Sequence, residues 1–427
     1  MNKILLLAIA LLFAGKVLAQ AEPIKYRTAS ARFKDLYNEN KIDDIYNSFS
    51  MEMQRALPAP QFRASTKQLK TQLGTLLYVD LIEYREPVAT YKAKFQNATL
   101  LLNISVNNNE QYSGLTFTPY QDPASRTPIS DPNVVESPVS VKILSGTIAG
   151  TLAMPKTVTG KIPVVIIIPG SGPTDRDGNS AKTNLATNTY KMIAESLAKS
   201  GIASLRYDKR MVGESITAIK EENMHFDDYI DDVYSLTNFL STDARFSKII
   251  LMGHSEGSLV GILAGASENV KAVISLAGAG VRADQILTEQ MKAQPQYLAD
   301  AFKVVLDSLK RGKIHKNVDP ALYSFARPSV QPYLMSWCRF EPEKEVKKLK
   351  IPILVVQGTT DLQVDVSNAE KLKKAKTTEV VIIPGMNHIL KEAPADRQKN
   401  LATYQDPNLP LKPELMPAII DFIAKLK

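Results

Sequence analysis

Hydrophobic residues in the second half of the chain occur in short unbroken runs separated by amphipathic stretches. The runs are IPVVIIIPG, IASLRYD, KIILMG, KAVISLAG, IPILVVQG and EVVIIPG. Strands without polar alternation are typical of a parallel sheet that helices cover on both faces. Residues 189–199, 226–240 and 413–426 space their apolar positions as helices do. The pattern predicts a mostly parallel, doubly wound α/β domain over residues 139–427.

The first part of the chain has a different pattern. Helical spacing over residues 33–49 and 66–77 precedes the stretch YREPVATYKAKFQNATLLLNISVNNNEQYSGLTFTPY, in which apolar and polar residues alternate around the turn signal NNNE. We therefore predict a small α+β domain over residues 20–122. Prolines recur between positions 119 and 138, and residues 123–138 are interpreted as a linker between two domains.

One interval is too long for a single crossover helix. About 70 residues of helical composition, 281–350, separate the runs VISLAGAG and IPILVVQG. We predict a helical insertion that lies over the strand ends as a lid.

The N-terminus, MNKILLLAIALLFAGKVLAQ, has a basic start, a short apolar run and small residues before position 20. This is typical of a signal peptide over residues 1–19, and the run is too short to span a bilayer. We therefore expect a secreted or periplasmic protein without stable membrane insertion. Cys338 is the only cysteine, so no intramolecular disulfide can form, and we expect a packed thiol.

Composition excludes some functions. The chain is 44% hydrophobic and 22% charged, with a net charge of +8. The basic residues are scattered among acidic ones, so we expect no nucleic-acid partner. Nothing in the sequence indicates an oligomeric state.

GHSEG, residues 253–257, follows the apolar run KIILM and precedes the helical stretch SLVGILAGA. A strand, a tight turn with flanking glycines and a helix form the turn that exposes a nucleophilic serine in α/β enzymes. Such sites lie at the carboxyl ends of the strands. Ser255 is the candidate nucleophile.

A serine nucleophile needs a base, and the chain has four histidines. His254 is inside the turn and is expected to point away from Ser255, while His225 and His315 lie in polar stretches. His388 follows the last strand, EVVIIPGMNH, and comes late in the chain, as the order serine, acid, histidine requires. We predict His388 as the base.

The acid should follow the preceding strand. IPILVVQGTTD places Asp361 directly after the strand end, where a carboxylate can orient the imidazole. Asp365, four residues later, is the alternative.

The negative charge that develops in acyl transfer requires two backbone N–H donors. Glu256, after the nucleophile, provides one. The loop PGSGPTDRDGN provides the other, from Ser171 or, as the alternative, Gly172. The string DRDGN lacks the glycine position and closing glutamate of a calcium loop, so no metal is expected.

Two further segments carry candidate roles. Asp208 and Arg210 in YDKRMVGES could fix the loop beside the oxyanion site by pairing with each other. In YLMSWCRF, Tyr333 and Trp337 are candidates to line a substrate pocket, together with Gly172, although core packing of the insertion is an equal alternative.

The strings PGSGPTDRDGN, YDKR, GHSEG, GTTDLQV and GMNH together resemble the α/β-hydrolase superfamily. More narrowly, they are similar to secreted bacterial carboxylesterases grouped with serine aminopeptidases. The resemblance covers residues 140–427 and implies a triad of Ser255, Asp361 and His388 with an acyl-enzyme intermediate. Met211 stands where similar proteins have glycine. The first domain resembles a domain of unknown function with an NTF2-like or cystatin-like fold.

These observations favour an esterase acting on small, short-acyl carboxylic esters, with no cofactor. Two alternatives remain open at this point. One is a peptidase on the same triad, with Glu256 or Glu341 binding the substrate amine. The other is a non-catalytic binding protein on a hydrolase scaffold.

Overall fold

The computed structural model describes residues 22–120, 129, 131–180, 183 and 185–426. The expected signal peptide, residues 1–19, lies outside the described residues, as does much of the expected linker. The chain divides into two compact units, Met1–Tyr120 and Gln121–Lys427. No helix among the described residues is long and apolar enough to cross a membrane.

The first unit packs helices on an antiparallel sheet. The sheet has the order β1-β2-β3-β4. Its elements are α1 (Ile24–Asn38), α2 (Ile42–Asn47), α3 (Met51–Ala56), α4 (Ala59–Leu73), β1 (Leu76–Arg85), β2 (Val88–Phe95), β3 (Thr99–Val106) and β4 (Tyr112–Pro119).

Side-chain periodicity explains this unit. Tyr26, Ala29, Phe33 and Tyr37 recur at helical spacing along α1 and are buried, while burial alternates along β2. These faces form one core. The prediction of a helix over residues 66–77 was wrong at its end, because α4 stops before Gly74, whose φ of 72° favours glycine.

The second unit is built on a nine-stranded sheet in the described part of the chain. Its order is β13-β12-β11-β10-β7-β8-β6-β5, and β9 pairs with β6. The strands from β13 to β8 in that order run parallel. The strands are β5 (Val134–Ile143), β6 (Gly146–Pro155), β7 (Ile162–Ile168), β8 (Ala203–Tyr207), β9 (Ile216–Thr217), β10 (Phe246–His254), β11 (Val270–Leu276), β12 (Ile353–Gly358) and β13 (Thr378–Ile383).

Helices follow most of the parallel strands. They are α5 (Thr189–Lys199), α6 (Phe226–Ser241), α7 (Glu256–Ala264), α8 (Ala283–Met291), α9 (Gln296–Lys310), α10 (Tyr323–Ala326), α11 (Gln331–Trp337), α12 (Pro342–Val346), α13 (Ser367–Leu372), α14 (Arg397–Ala402) and α15 (Leu415–Lys425). Hydrophobic cores lie on the two faces of the sheet, which explains why the strands read as unbroken apolar runs. The expected doubly wound fold is confirmed.

The structure can be compared with the predicted bounds of the insertion and of the linker. Residues 281–350 carry α8 to α12, in agreement with the predicted helical composition. The expected linker, in contrast, extends too far, because β5 begins at Val134 and pairs through Pro138 with Thr151. β5 is the last strand in the sheet order. It tolerates a proline because the N–H groups on the open side of an edge strand make no hydrogen bond to another strand.

Candidate active site

The turn from β10 to α7 holds Ser255 in an uncommon backbone conformation, with φ 55° and ψ −118°. The flanking glycines allow it. A methyl group at Gly253 would lie 2.0 Å from the carbonyl oxygen of Gly257, and one at Gly257 would lie 2.4 Å from that of Ile168. Only glycine fits at either position, so Ser255 is presented on a sharp turn at the amino end of a helix.

The structure brings the three predicted triad residues together. Nε2 of His388 lies 3.0 Å from Oγ of Ser255, and Nδ1 of His388 lies 2.8 Å from Oδ2 of Asp361. The imidazole thus bridges a hydroxyl and a carboxylate, which is the arrangement that activates a serine.

Asp361 is held by more than the histidine. Its Oδ1 accepts hydrogen bonds from the amides of Gln363 at 2.8 Å and Val364 at 2.9 Å. Burial by itself would raise the pKa of Asp361, but His388 and these amides outweigh burial and lower it. The alternative acid, Asp365, is exposed and accepts from the amide of Ser367.

His254 has a role that the sequence did not predict. Its Nε2 lies 2.7 Å from the carbonyl oxygen of His388, so this nitrogen must carry the proton, and its Nδ1 accepts from the Tyr190 hydroxyl at 2.8 Å. Tyr190 in turn accepts from the amide of Gly170 at 3.0 Å. Burial, followed by the nearby His388, lowers the pKa of His254 to about 3. A neutral imidazole therefore connects the base to the loop after β7.

The two amides that are predicted to bind an oxyanion belong to residues at the cleft. Ser171 and Glu256 both border the cleft at Ser255. Within the described chain neither amide donates to a protein acceptor. Gly172, the alternative donor and a predicted substrate contact, is not among the residues that line this cleft. The geometry favours Ser171.

Most of the residues that line the cleft beside Ser255 are apolar. With the open solvent at its mouth it encloses about 450 Å³. The insertion supplies a large part of the wall, including Trp337, which is buried and stacks on Phe226 at a centroid distance of 5.8 Å. The lining residues are Ser171, Ser255, Glu256, Leu259, Ala279, Val281, Ala283, Ile286, Leu287, Gln290, Trp337, Pro342 and Val364.

Tyr333 is not a lining residue, which corrects one prediction. Its hydroxyl donates to Oε2 of Glu256, and the other carboxylate oxygen accepts from Lys209 at 2.9 Å. The side chain of Glu256 is thus neutralised by a buried ammonium group, which leaves it unsuited to bind the amine of a peptide substrate.

Ion pairs fix the segment after β8 to the loop after β7 and to α6, although the predicted pair is not among them. Asp208 pairs with Arg176 at 2.7 Å, and Arg210 pairs with Asp232 at 2.8 Å. The expected Asp208–Arg210 pair is wrong because the two side chains bind partners on different elements. The string TDRDGN folds into a turn in which Asp175 accepts the amides of Asp177 and Asn179, both at 2.9 Å.

Among the residues that the structure describes, no group of three histidine, cysteine or acidic side chains is arranged to hold a metal ion. Burial raises the pKa of the Cys338 thiol to about 11, and a thiol of that kind is a poor nucleophile.

The fold and the geometry of this site are similar to those of α/β-hydrolases. A family described as serine aminopeptidase, S33, matches residues 184–333, and a family of unknown function, DUF3887, matches residues 30–115. The esterase EstD of Thermotoga maritima is 23% identical over 368 residues, which cover 83% of this chain and 85% of that protein. The expected resemblance to α/β-hydrolases is confirmed.

Matches to solved structures include Est1E from Butyrivibrio proteoclasticus, at 20% identity and a TM-score of 0.44, covering 67% of this chain and 99% of that one. The Pyrococcus furiosus esterase Pf2001 matches at 15% identity and a TM-score of 0.43, covering 68% and 93%.

Proposed function

We propose that this protein is a serine carboxylesterase that hydrolyses small carboxylic esters through an acyl-enzyme. The observation that carries the proposal is the continuous contact from Ser255 through His388 to Asp361, at 3.0 and 2.8 Å, at the edge of an apolar cleft. The similarity to EstD, whose name is that of an esterase, supports the same reaction class.

In the first half of the reaction, Oγ of Ser255 attacks the ester carbonyl carbon while Nε2 of His388 takes the hydroxyl proton. Asp361 accepts the Nδ1 proton of His388 in a hydrogen bond and stabilises the imidazolium. The amides of Ser171 and Glu256 bind the negatively charged oxygen of the tetrahedral intermediate. The helix that begins at Glu256 directs its positive end at the same point.

Collapse of the intermediate breaks the ester bond, and His388 gives its proton to the departing alcohol. Water then enters, loses a proton to His388 and attacks the acyl carbon, which releases the carboxylic acid and restores Ser255. Every proton in this cycle passes through Nε2 of His388.

The proposed substrates carry short, uncharged acyl groups. Leu259, Ile286 and Trp337 border the cleft, and apolar walls of this kind favour an alkyl chain over a charged group. Butyrate esters should be hydrolysed faster than palmitate esters, and a preference for palmitate would refute the short-acyl proposal.

We further propose that the enzyme acts outside the cytoplasm, on the basis of the signal-like residues 1–19. Mass spectrometry of the exported protein should give an N-terminus at Gln20. Recovery of the protein from the cytoplasmic fraction with residues 1–19 still attached would reject this proposal.

The deciding experiment is hydrolysis of p-nitrophenyl butyrate by the purified chain and by Ser255→Ala. We expect turnover in the native protein and a loss of several orders of magnitude in the variant. Activity that survives in Ser255→Ala would reject the mechanism. Hydrolysis of aminoacyl anilides in preference to esters would favour a peptidase instead.

A further inference from the structure

Lys209 is a buried cation that the mechanism above leaves without a role. It lies just after β8, and its side chain is 4% exposed. Its Nζ atom donates to the carbonyl oxygen of Gly170 at 3.0 Å and to Oε1 of Glu256 at 2.9 Å, and it lies 4.1 Å from the ring centre of Tyr229. Burial opposes its charged form, but Glu256 outweighs burial and raises the pKa of Lys209. The ammonium group therefore stays charged.

The carbonyl that Lys209 binds belongs to the peptide unit that carries the Ser171 amide. In a trans peptide the C=O and N–H bonds point in opposite directions within one plane. A donor fixed on the oxygen of Gly170 therefore fixes the direction in which the Ser171 N–H points. The other side of Gly170 is also held, because its own amide donates to Tyr190 at 3.0 Å.

This peptide unit lies against the nucleophile. A methyl group at Gly170 would lie 3.3 Å from Cβ of Ser255, and Ser171 and Ser255 border the same cleft. With the oxygen of Gly170 bonded to buried Lys209, the Ser171 N–H is directed away from Lys209. The same charge polarises the peptide and makes the N–H a stronger donor.

The acidic partner of Lys209 completes a link between the two oxyanion donors. Glu256 offers its amide to the cleft and its carboxylate to Lys209. One side chain thus joins the peptide of Ser171 to the residue that carries the second donor. Tyr333, from α11, donates to the remaining carboxylate oxygen of Glu256 and satisfies it.

We propose that Lys209 is a positioning residue of the oxyanion hole, which holds and polarises the Gly170–Ser171 peptide while Glu256 serves as its counter-ion. This inference rests on the proposed esterase function. Lys209 touches no reacting atom, and it acts through the backbone that it binds.

An ion pair that only stabilises the fold predicts a different outcome, and the chain offers a matched control. Arg210, in the same segment as Lys209, is also buried and pairs with buried Asp232 of α6 at 2.8 Å and with Asp228 at 3.0 Å, but these residues do not contact the oxyanion peptide. The test variant is Lys209→Met with Glu256→Gln, and the control is Arg210→Met with Asp232→Asn. Each removes both charges of one buried pair. Asp228, which loses Arg210 in the control, is partly exposed, so neither variant leaves a fully buried ion alone.

With p-nitrophenyl butyrate, kcat of the test variant should fall about 10- to 100-fold, while KM should change less than about threefold. The reason is that a misdirected N–H donor weakens binding of the transition state but not of the substrate. The Ki of n-butylboronic acid, which forms a tetrahedral adduct with a serine, should rise by the same factor by which kcat/KM falls. The Ki of butyrate should stay constant. The control variant should lose stability in urea and keep kcat within about threefold.

Equal losses of kcat in the two variants would overturn the proposal, as would unchanged boronic-acid affinity in the test variant. The rate at which a fluorophosphonate labels Ser255 provides a readout that needs no ester substrate, and it should fall at least about tenfold in the test variant. If the native protein is active, Ser255→Ala is inactive and the test variant keeps the native kcat, the role of Lys209 is rejected while the esterase function stands. A native protein that neither hydrolyses esters nor reacts with the fluorophosphonate rejects both proposals.

Discussion

The ring of His254 donates from Nε2 to the backbone carbonyl oxygen of His388, across 2.7 Å. The residue before the nucleophile thus anchors the loop that carries the base. The ring centres of the two histidines are 5.0 Å apart, so a proton on both rings at once would place like charges side by side in a buried site.

Burial of the His254 ring, which lowers its pKa, predicts an acid-sensitive fold. The pKa of His254 is about 3 in the folded chain and about 6.5 when unfolded. Below pH 6.5 the unfolded chain therefore binds a proton that the folded chain does not, and the free energy of unfolding falls as the pH falls through that window. The loss between pH 7 and pH 5 is about 2 kcal/mol.

His254→Gln should remove this loss, because glutamine can donate to His388 and accept from Tyr190 without titrating. Urea unfolding at pH 7 and pH 5 gives the difference in the free energy of unfolding between the two pH values. His225→Gln, at an exposed position, is the control for removing a histidine. An equal acid loss in His254→Gln and the native protein would contradict the assignment.

Asp361→Asn should lower kcat by about four orders of magnitude with the fold intact, because an amide donor at this position favours the wrong tautomer of His388. The matched control is Asp365→Asn, the exposed carboxylate four residues later, which should keep kcat. A large loss in the control, or a small one in Asp361→Asn, would assign the acid elsewhere.

The glycines of α7 differ in what surrounds them. Gly257→Ala should cost about 4 kcal/mol or more and abolish activity, since the methyl group would lie 2.4 Å from a backbone oxygen. In Gly261→Ala, one turn later, the closest contact of the methyl group would be the tip of Ile168 at 3.3 Å, with no backbone atom outside the helix nearer than 3.9 Å. Alanine favours the helix by about 1 kcal/mol. Thermal unfolding of the two variants checks the contrast, and equal effects would refute it.

Met211 adopts a left-handed conformation with φ 63°, the geometry expected where similar sequences have glycine. The free energy of unfolding of Met211→Gly, measured in urea, should exceed that of Met211→Ala by about 1 kcal/mol, because only glycine adopts this φ without strain. The alanine variant controls for loss of the side chain. A more stable alanine variant would show that the strain is relieved in another way.

Local patterns sufficed to predict the elements of the site that lie beside strand ends. Ser255, Asp361 and His388 each follow a strand of the parallel sheet, so position in the sheet brings them together without knowledge of any side-chain contact. The Ser171 amide follows β7 in the same way.

The contacts that support the site were not predictable in this manner. Tyr190 meets His254 across 64 positions and Lys209 meets Glu256 across 47 positions of the chain. Polar residues in adjacent loops have several possible partners, and only the folded geometry chooses among them, as the failed Asp208–Arg210 pair demonstrates. YDKR did mark Lys209 as part of an unusual segment, but not as a partner of the loop after β7.

The hydrogen bond from the Tyr333 hydroxyl to the Glu256 carboxylate affects how enzymes with this fold can diversify. Insertions over a shared scaffold are a natural place for new pockets to evolve. Here the insertion also satisfies a buried oxygen beside the nucleophile. A transplanted insertion must bring a donor to that point or leave the oxygen unsatisfied, so pocket and scaffold are inherited together and are not freely exchangeable modules.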